Sequence, residues 1–346
     1  MPTKTLLIRF GSLGDLALTL PALWDLAASE PAGERHFLVL EPWASLLSPL
    51  PQLDRLWTLP RGAGRAELGG LGRTLAAERF DRVLDFHGNL RSRWFQHRLG
   101  APRLGWWSSP RYDLRRRLMI ARPGWPAALR PRAPLPPVWI RHRATVAAAL
   151  AADYRPAHGE AAQYPLAAAL RASVDAELAA LGLAPGAEPI ALAPGAAWPA
   201  KAWPHAAALT ERLAGRRPLL LLGGPGDREA CAALAALGAA DYSGDRPLSH
   251  VAAALGRARV LVAGDSGLVH LAELMGLPVI DLFGPTVPAF GFAPRLAASR
   301  LIERPLPCRP CSLHGQKPCR FGHGNCLAEI GVESLLAALA EMGALR

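Results

Sequence analysis

Short apolar runs alternate with segments of helical period along most of the chain. Thr5 to Phe10, His36 to Leu40, Arg55 to Leu59 and Arg82 to Phe86 read as strands, with helical segments between them. Pro189 to Ala193, Leu219 to Leu222, Val260 to Ala263 and Val279 to Phe283 repeat the pattern in the second half. Leu16, Leu20, Leu23 and Leu26 mark one side of a helix after the first strand, and Leu268, Leu271, Ala272 and Met275 mark another over residues 267–276. This alternation predicts an α/β fold built on parallel sheets. Residues 140–152 and 166–182 are helix-like, and the apolar helix Val332 to Met342 is expected to pack back across the domains. Residues 106–137 break the pattern with Trp106, Trp107, Trp125, the run Arg115-Arg116-Arg117 and repeated prolines, which suits a long stiffened loop.

A chain of 346 residues predicts two domains, with a boundary between about 155 and 187 that is drawn here as 1–160 and 161–346. No apolar run approaches the roughly 20 residues of a membrane span. The N-terminus enters a strand at once without a leader pattern, so the chain reads as cytoplasmic.

Ligands of parallel α/β sheets bind beyond the carboxyl ends of strands, and polar turns stand at several such ends. Gly11-Ser12-Leu13-Gly14-Asp15 follows the first strand, and Asp15 is either a helix cap or a carboxylate placed as a general base. Asp85-Phe86-His87-Gly88 follows the fourth, with His87 either structural or functional and Arg91 and Arg93 opening a basic region. In the second half, Lys201 stands in a stretch rich in Pro and Trp, a setting that suits an anion contact better than a solvated lysine needs. Gly223-Gly224-Pro225-Gly226-Asp227 lacks the spacing of a dinucleotide fingerprint or a Walker loop, although Asp227 could meet a ribose. Gly264-Asp265-Ser266-Gly267 opens a helix whose free N–H groups favour a phosphate.

Charge sharpens this picture. The net charge is +11, and residues 1–160 hold 23 Arg and Lys against 13 Asp and Glu. Residues 91–143 hold 13 Arg against the single acid Asp113. Either a composition rich in Arg, Ala, Pro and Gly accounts for this, or the first half meets an anionic partner: a phosphorylated substrate, an acidic membrane surface or nucleic acid. No nucleic-acid-binding motif is present, so no nucleic acid is expected. Cys308, Cys311, Cys319 and Cys326 fall within 19 residues and open with a Cys-x2-Cys spacing. They read as a structural Zn or Fe site, with four reduced thiols as the alternative.

The motifs Ser12-Leu13-Gly14-Asp15 with Thr19-Leu20-Pro21-Ala22-Leu23, Asp85-x-x-Gly88-x-x-Arg91-Ser92, Lys201-x-Trp203-Pro204, Gly264 to Leu271 and Phe283-Gly284-Pro285-Thr286 occur in order over nearly the whole chain. In this the chain resembles the lipopolysaccharide heptosyltransferases, glycosyltransferase family 9. The resemblance implies a GT-B fold: two Rossmann-like domains facing across a cleft, the first binding the acceptor and the second the nucleotide sugar. It implies an inverting transfer of a heptose from an ADP-sugar to an anionic, lipid-linked inner-core saccharide, by an enzyme peripheral to the inner membrane at its cytoplasmic leaflet.

Residue by residue, the resemblance implies Asp15 as the base and Lys201, Asp227, Asp265, Ser266, Gly267 and His270 as donor contacts. Ser12, Gly14, His87, Arg91 and Arg93 fall to the acceptor, and no cofactor is required for catalysis. Ala196 and Ala197 replace the hydroxyl residues that relatives often carry, and Ser266 replaces the commoner Thr. The alternatives are transfer of another nucleotide sugar, a sugar-nucleotide epimerase of the same architecture and a non-enzymatic nucleic-acid binder.

Overall fold

The computed structural model describes residues 2–100, 105–122, 129–157 and 164–345. Pro123, Trp125 and Pro126 of the Trp-rich stretch, and residues 158–163 of the expected linker, lie outside them. The chain divides into two compact units. One comprises Met1–Arg111 and Pro136–Pro165, the other Tyr112–Leu135 and Leu166–Arg346. The linear division at 160/161 therefore needs correction, because Tyr112–Leu135 packs with the second unit before the chain has finished the first. Backbone bonds within that unit hold the excursion: Ala121 N donates to Pro310 O at 2.7 Å and Leu135 N to Ala289 O at 2.9 Å.

The first unit carries a parallel sheet of β1 (Lys4–Ile8), β2 (Glu34–Leu40), β3 (Arg55–Leu59), β4 (Arg82–Asp85) and β5 (Gly105–Ser108). Its order is β3-β2-β1-β4-β5. The order in which strands are added reverses between β1 and β4, and a crevice opens at such a point outside the carboxyl ends. The second unit carries β6 (Ile190–Ala193), β7 (Leu219–Leu221), β8 (Ala240–Asp241), β9 (Val260–Gly264), β10 (Val279–Phe283) and β11 (Arg300–Glu303), in the order β11-β10-β9-β6-β7-β8. Renumbered within the unit, this is the 3-2-1-4-5-6 order of the Rossmann fold, with its switch point between β6 and β9. Both units are thus Rossmann-like α/β domains of the kind found in GT-B enzymes.

Each sheet is apolar on both faces, as a sheet covered by helices requires. Leu6, Ile8, Leu38 and Val83 are fully buried in the first core, with Phe10 and Phe95 beside them. In the second core Ile190, Leu192, Leu221, Val262 and Ile280 meet Leu335 and Leu339 of the terminal helix Val332–Glu341. That helix completes its own unit, where each buried Leu contributes about 1.5–3 kcal/mol; the sequence expectation placed it across the domains. Trp203 Nε1 adds a 2.8 Å bond to Ile330 O in the same core.

Two further differences have local causes. The first helix is broken into Leu13–Ala17 and Leu20–Ser29, because Pro21 fits the first turn of a new helix but not the interior of a continuous one. Within the stretch read as loop, Gly105–Ser108 is a strand and Asp113–Met119 a helix. Among the described residues no helix is long and apolar enough to cross a membrane.

Candidate active site

In the first unit the turn after β1 and the turn after β4 meet at the crevice. Arg9 stands inside the apolar run, just past β1, and is itself buried. Its Nε donates to Gly11 O at 2.9 Å, its Nη1 to Phe86 O, and its Nη2 lies 2.5 Å from Oδ2 of Asp15. Gly11 has a φ of +151°, and a Cβ there would fall 2.5 Å from Trp43 Nε1, so the close turn requires glycine. Ser12 occupies the N-cap position of Leu13–Ala17 but makes no capping bond. Its hydroxyl donates to Asp15 Oδ2 at 3.2 Å, and Gly14 is buried behind it. Asp15 therefore does not cap the helix; its side chain remains 24% exposed. Burial pushes its carboxyl up most, but the Arg9 guanidinium, His142 and the Ser12 hydroxyl together outweigh this and hold it below the ordinary carboxylate value.

The β4 turn is shaped by the buried Asp85, whose Oδ1 accepts from the N–H groups of His87 and Gly88, each at 2.9 Å. Asn89 then caps helix Leu90–Arg98 through a 2.9 Å bond from Ser92 N. His87 packs edge-on against Phe10 at 5.1 Å, and Arg91 lies over the same ring at 5.5 Å. Burial first, then the Arg9 charge, lowers His87 to about 3, so it is neutral at physiological pH. Arg93, two positions along the helix, is exposed and faces away from Arg91.

Sequence reasoning missed two groups here. Arg9 was signalled by a charge inside an apolar run. His142 carried no signal: it comes from helix Val138–Leu150, is buried against Phe86 at 5.0 Å and shares a 2.8 Å bond with Ser109 Oγ. Burial above all lowers it to about 3. The Asp15 carboxylate opposes this shift without reversing it.

In the second unit the loops after β6 and β9 bring Lys201 and Asp265 together at the switch point. Lys201 Nζ donates to Asp265 Oδ2 at 2.7 Å and to Asp265 O at 3.0 Å. The Thr286 hydroxyl, from the loop after β10, donates to the same Oδ2 at 2.5 Å. Gly264 permits this approach, since a Cβ there would lie 2.7 Å from Lys201 O. Asp227 accepts from Gly224 N at 2.8 Å and rests on Gly195, where a Cβ would meet its Oδ1 at 1.8 Å. The glycines on either side thus seat a carboxylate beside the β6 loop.

Ser266 caps the start of helix Gly267–Leu274 by position only, and its buried Oγ has no hydrogen-bond partner among the described residues. Gly267 opens the helix, whereas His270 is buried one turn further in, its ring 6.3 Å from that of Phe292. Thr286 lay inside a motif read from the sequence, yet its hydroxyl was not singled out.

No metal-binding cysteine cluster is shown among the described residues. Cys308, Cys311, Cys319 and Cys326 are free thiols. Among the described residues the group of three or more ligand atoms lying within 4.8 Å of one another is Glu34, His36 and Glu78, with no cysteine. The Glu34 group is no better a candidate, because Lys4 Nζ already lies 3.2 Å from Glu34 and 2.7 Å from Glu78.

With the geometry in hand, the comparisons with known proteins agree. The profile described as glycosyltransferase family 9 (heptosyltransferase) matches residues 68–317. Lipopolysaccharide heptosyltransferase 1 of Pseudomonas aeruginosa is 30% identical over 342 residues, spanning 92% of this chain and 88% of the relative. The crystal structure of a family 9 glycosyltransferase from Veillonella parvula superposes with a TM-score of 0.78 at 18% identity, over 98% of this chain and 97% of that one. An E. coli heptosyltransferase solved with ADP-2-deoxy-2-fluoro heptose gives a TM-score of 0.67 at 22% identity, over 98% and 99% of the two chains.

Proposed function

The chain belongs to glycosyltransferase family 9, the heptosyltransferases, and from that membership we propose that it transfers a heptose from an ADP-sugar to the inner core of lipopolysaccharide with inversion. The observation that carries the reading is the convergence of Lys201 and Thr286 on Oδ2 of Asp265 at the switch point of a Rossmann-like sheet. A diphosphate at that place meets an ammonium group, the N-terminus of helix Gly267–Leu274 and the unpartnered Ser266 hydroxyl. Asp227 takes the ribose, seated between its glycines.

The chemistry is a single displacement. Asp15 accepts the proton of the acceptor hydroxyl as that oxygen bonds to the anomeric carbon of the heptose. The bond from that carbon to the diphosphate oxygen breaks, and ADP departs with the electron pair. Lys201 and the helix N-terminus stabilise the charge that develops on ADP, the task a metal performs in other transferases. Asp15 is ionised at neutral pH, so it stands ready as a base; the acceptor hydroxyl becomes acidic enough for it only as the new bond forms.

Arg91 and the neutral His87 stand beside Asp15 as contacts for an anionic, lipid-linked acceptor, with Ser12 and Gly14 shaping the turn. The exposed Arg93, Arg98 and Arg111 of the same unit suit both that acceptor and the acidic leaflet carrying it. The test is turnover with ADP-heptose and a defined inner-core acceptor, read as ADP release together with a heptose-sized mass gain on the acceptor. ADP release without that gain, or no reaction at all, contradicts the proposal.

A further inference from the structure

Arg309 lies between two of the cysteines, yet its side chain is only 4% exposed and points at the loop that follows β10. Its Nε donates to Gly284 O at 2.6 Å, and its Nη2 reaches Phe283 O at 3.1 Å, Thr286 O at 2.9 Å and Glu303 Oε2 at 2.8 Å. Its Nη1 donates to Arg304 O. The remaining carbonyl of the loop, Pro285 O, accepts from Cys311 N at 3.0 Å. Every carbonyl from Phe283 to Thr286 is thus held by the Cys308–Cys311 segment. The same stretch of chain also flanks Lys201: a Cβ on Gly315 would fall 2.8 Å from Lys201 Cγ, so the lysine stem lies against that glycine.

Burying a guanidinium is expensive, and a single half-exposed carboxylate is its only acidic partner among the described residues. The planar fork serves a purpose that lysine cannot fill, since it places several donors at fixed angles on carbonyls of one short loop. The loop ends in Thr286, whose hydroxyl fixes Asp265 Oδ2 and through it Lys201.

We infer that Arg309 is a positioning residue of the donor site: it fixes the Phe283–Thr286 loop so that the Thr286 hydroxyl orients Asp265 and Lys201 toward a nucleoside diphosphate. The inference rests on the donor-site reading above. It gives the cysteine segment a function that needs no metal, namely to carry the residue that locks the loop.

The experiment is a double-mutant cycle with ADP binding measured by calorimetry. Arg309→Lys retains the charge and loses the fork, and weakens ADP binding at least tenfold; Thr286→Val removes the hydroxyl and weakens it comparably. If Arg309 acts through Thr286, the double variant is no weaker than the weaker single one. Additive losses, or a lowered melting temperature with unchanged ADP affinity in Arg309→Lys, overturn the inference. Arg309→Gln, with two amide donors, serves the same comparison where the lysine variant does not fold.

A crystal structure of the folded variant separates this inference from the donor reading. A Thr286 hydroxyl displaced from Asp265 supports the role of Arg309, and an undisturbed bond refutes it. Failure of the unmodified protein to bind ADP overturns the donor reading, and the variant structure still decides the role of Arg309.

Discussion

Nη2 of Arg9 lies 2.5 Å from Oδ2 of Asp15, which ties the carboxylate proposed as base to a buried cation just past β1. This contact keeps Asp15 ionised below the ordinary carboxylate range. Arg9→Gln removes the charge, so the Asp15 carboxyl rises, and the acid limb of the kcat/KM profile moves to higher pH. Asp15→Asn loses turnover by at least about 100-fold, as removal of a general base does, while calorimetry shows ADP affinity unchanged. An unshifted acid limb in Arg9→Gln separates Arg9 from the base.

Lys201 and Asp265 are only 12% and 13% exposed, so their 2.7 Å contact is largely shielded from water and each charge depends on the other. Lys201→Met weakens ADP binding by about 10- to 100-fold, in line with loss of one charge-assisted contact, and lowers the melting temperature because Asp265 loses its cation. Equal ADP affinity in the variant removes Lys201 from the phosphate site.

Asp281, fully buried within β10, has no hydrogen-bond partner for either carboxylate oxygen among the described residues. Burial, and then Asp265, push its carboxyl well above 3.8, against the opposing pull of Lys201. The folded state therefore holds this proton where the unfolded chain releases it. Stability is lost as pH rises from about 4 through the folded value. Asp281→Asn removes that dependence and is more stable than the parent at pH 8 by about 1–3 kcal/mol, with little difference at pH 4. Denaturant titrations at the two pH values decide it, and a pH-independent difference argues against a neutral Asp281.

Asp25 is 1% exposed and accepts from Arg143 Nε at 2.6 Å, Arg143 Nη2 at 3.0 Å, the Tyr154 hydroxyl at 2.6 Å and Ala157 N at 2.8 Å. It joins helix Val138–Leu150 to helix Leu20–Ser29 within the first unit. Asp25→Ala leaves these donors unpaired and lowers stability by about 3 kcal/mol, whereas Asp25→Asn retains part of the network and loses less. Urea unfolding of the two variants provides the check.

The strands that end in Gly11 to Asp15 and in Gly264 to Gly267 were legible because apolar runs stop abruptly at small polar turns, and the helices that follow bury one face. Asp15 and Asp265 stood out for the same reason, as charges at strand ends, and Lys201 as a lone cation in a stretch rich in Pro and Trp. Tyr112–Leu135 was not legible, since its composition describes a loop while bonds to Ala289 and Pro310, far along the chain, decide where it packs. The cysteine spacing drew attention to the thiols and away from Arg309 between them, whose role depends on loop carbonyls that have no sequence signature. Asp281 was hidden inside an apolar strand, and His142 inside a helix whose partners lie on other elements.

The excursion through Tyr112–Leu135 also sets an order of events at the ribosome. Domains tend to fold in the order they emerge, but here a piece of the second unit is synthesised before residues 136–165 of the first and long before its own partners near Ala289 and Pro310. The first unit is interrupted by a segment it does not keep, and that segment, whose Met119 and Leu135 are buried in the finished fold, waits for the last third of the chain. Nascent chains halted before residue 285 are therefore the forms most prone to capture by chaperones.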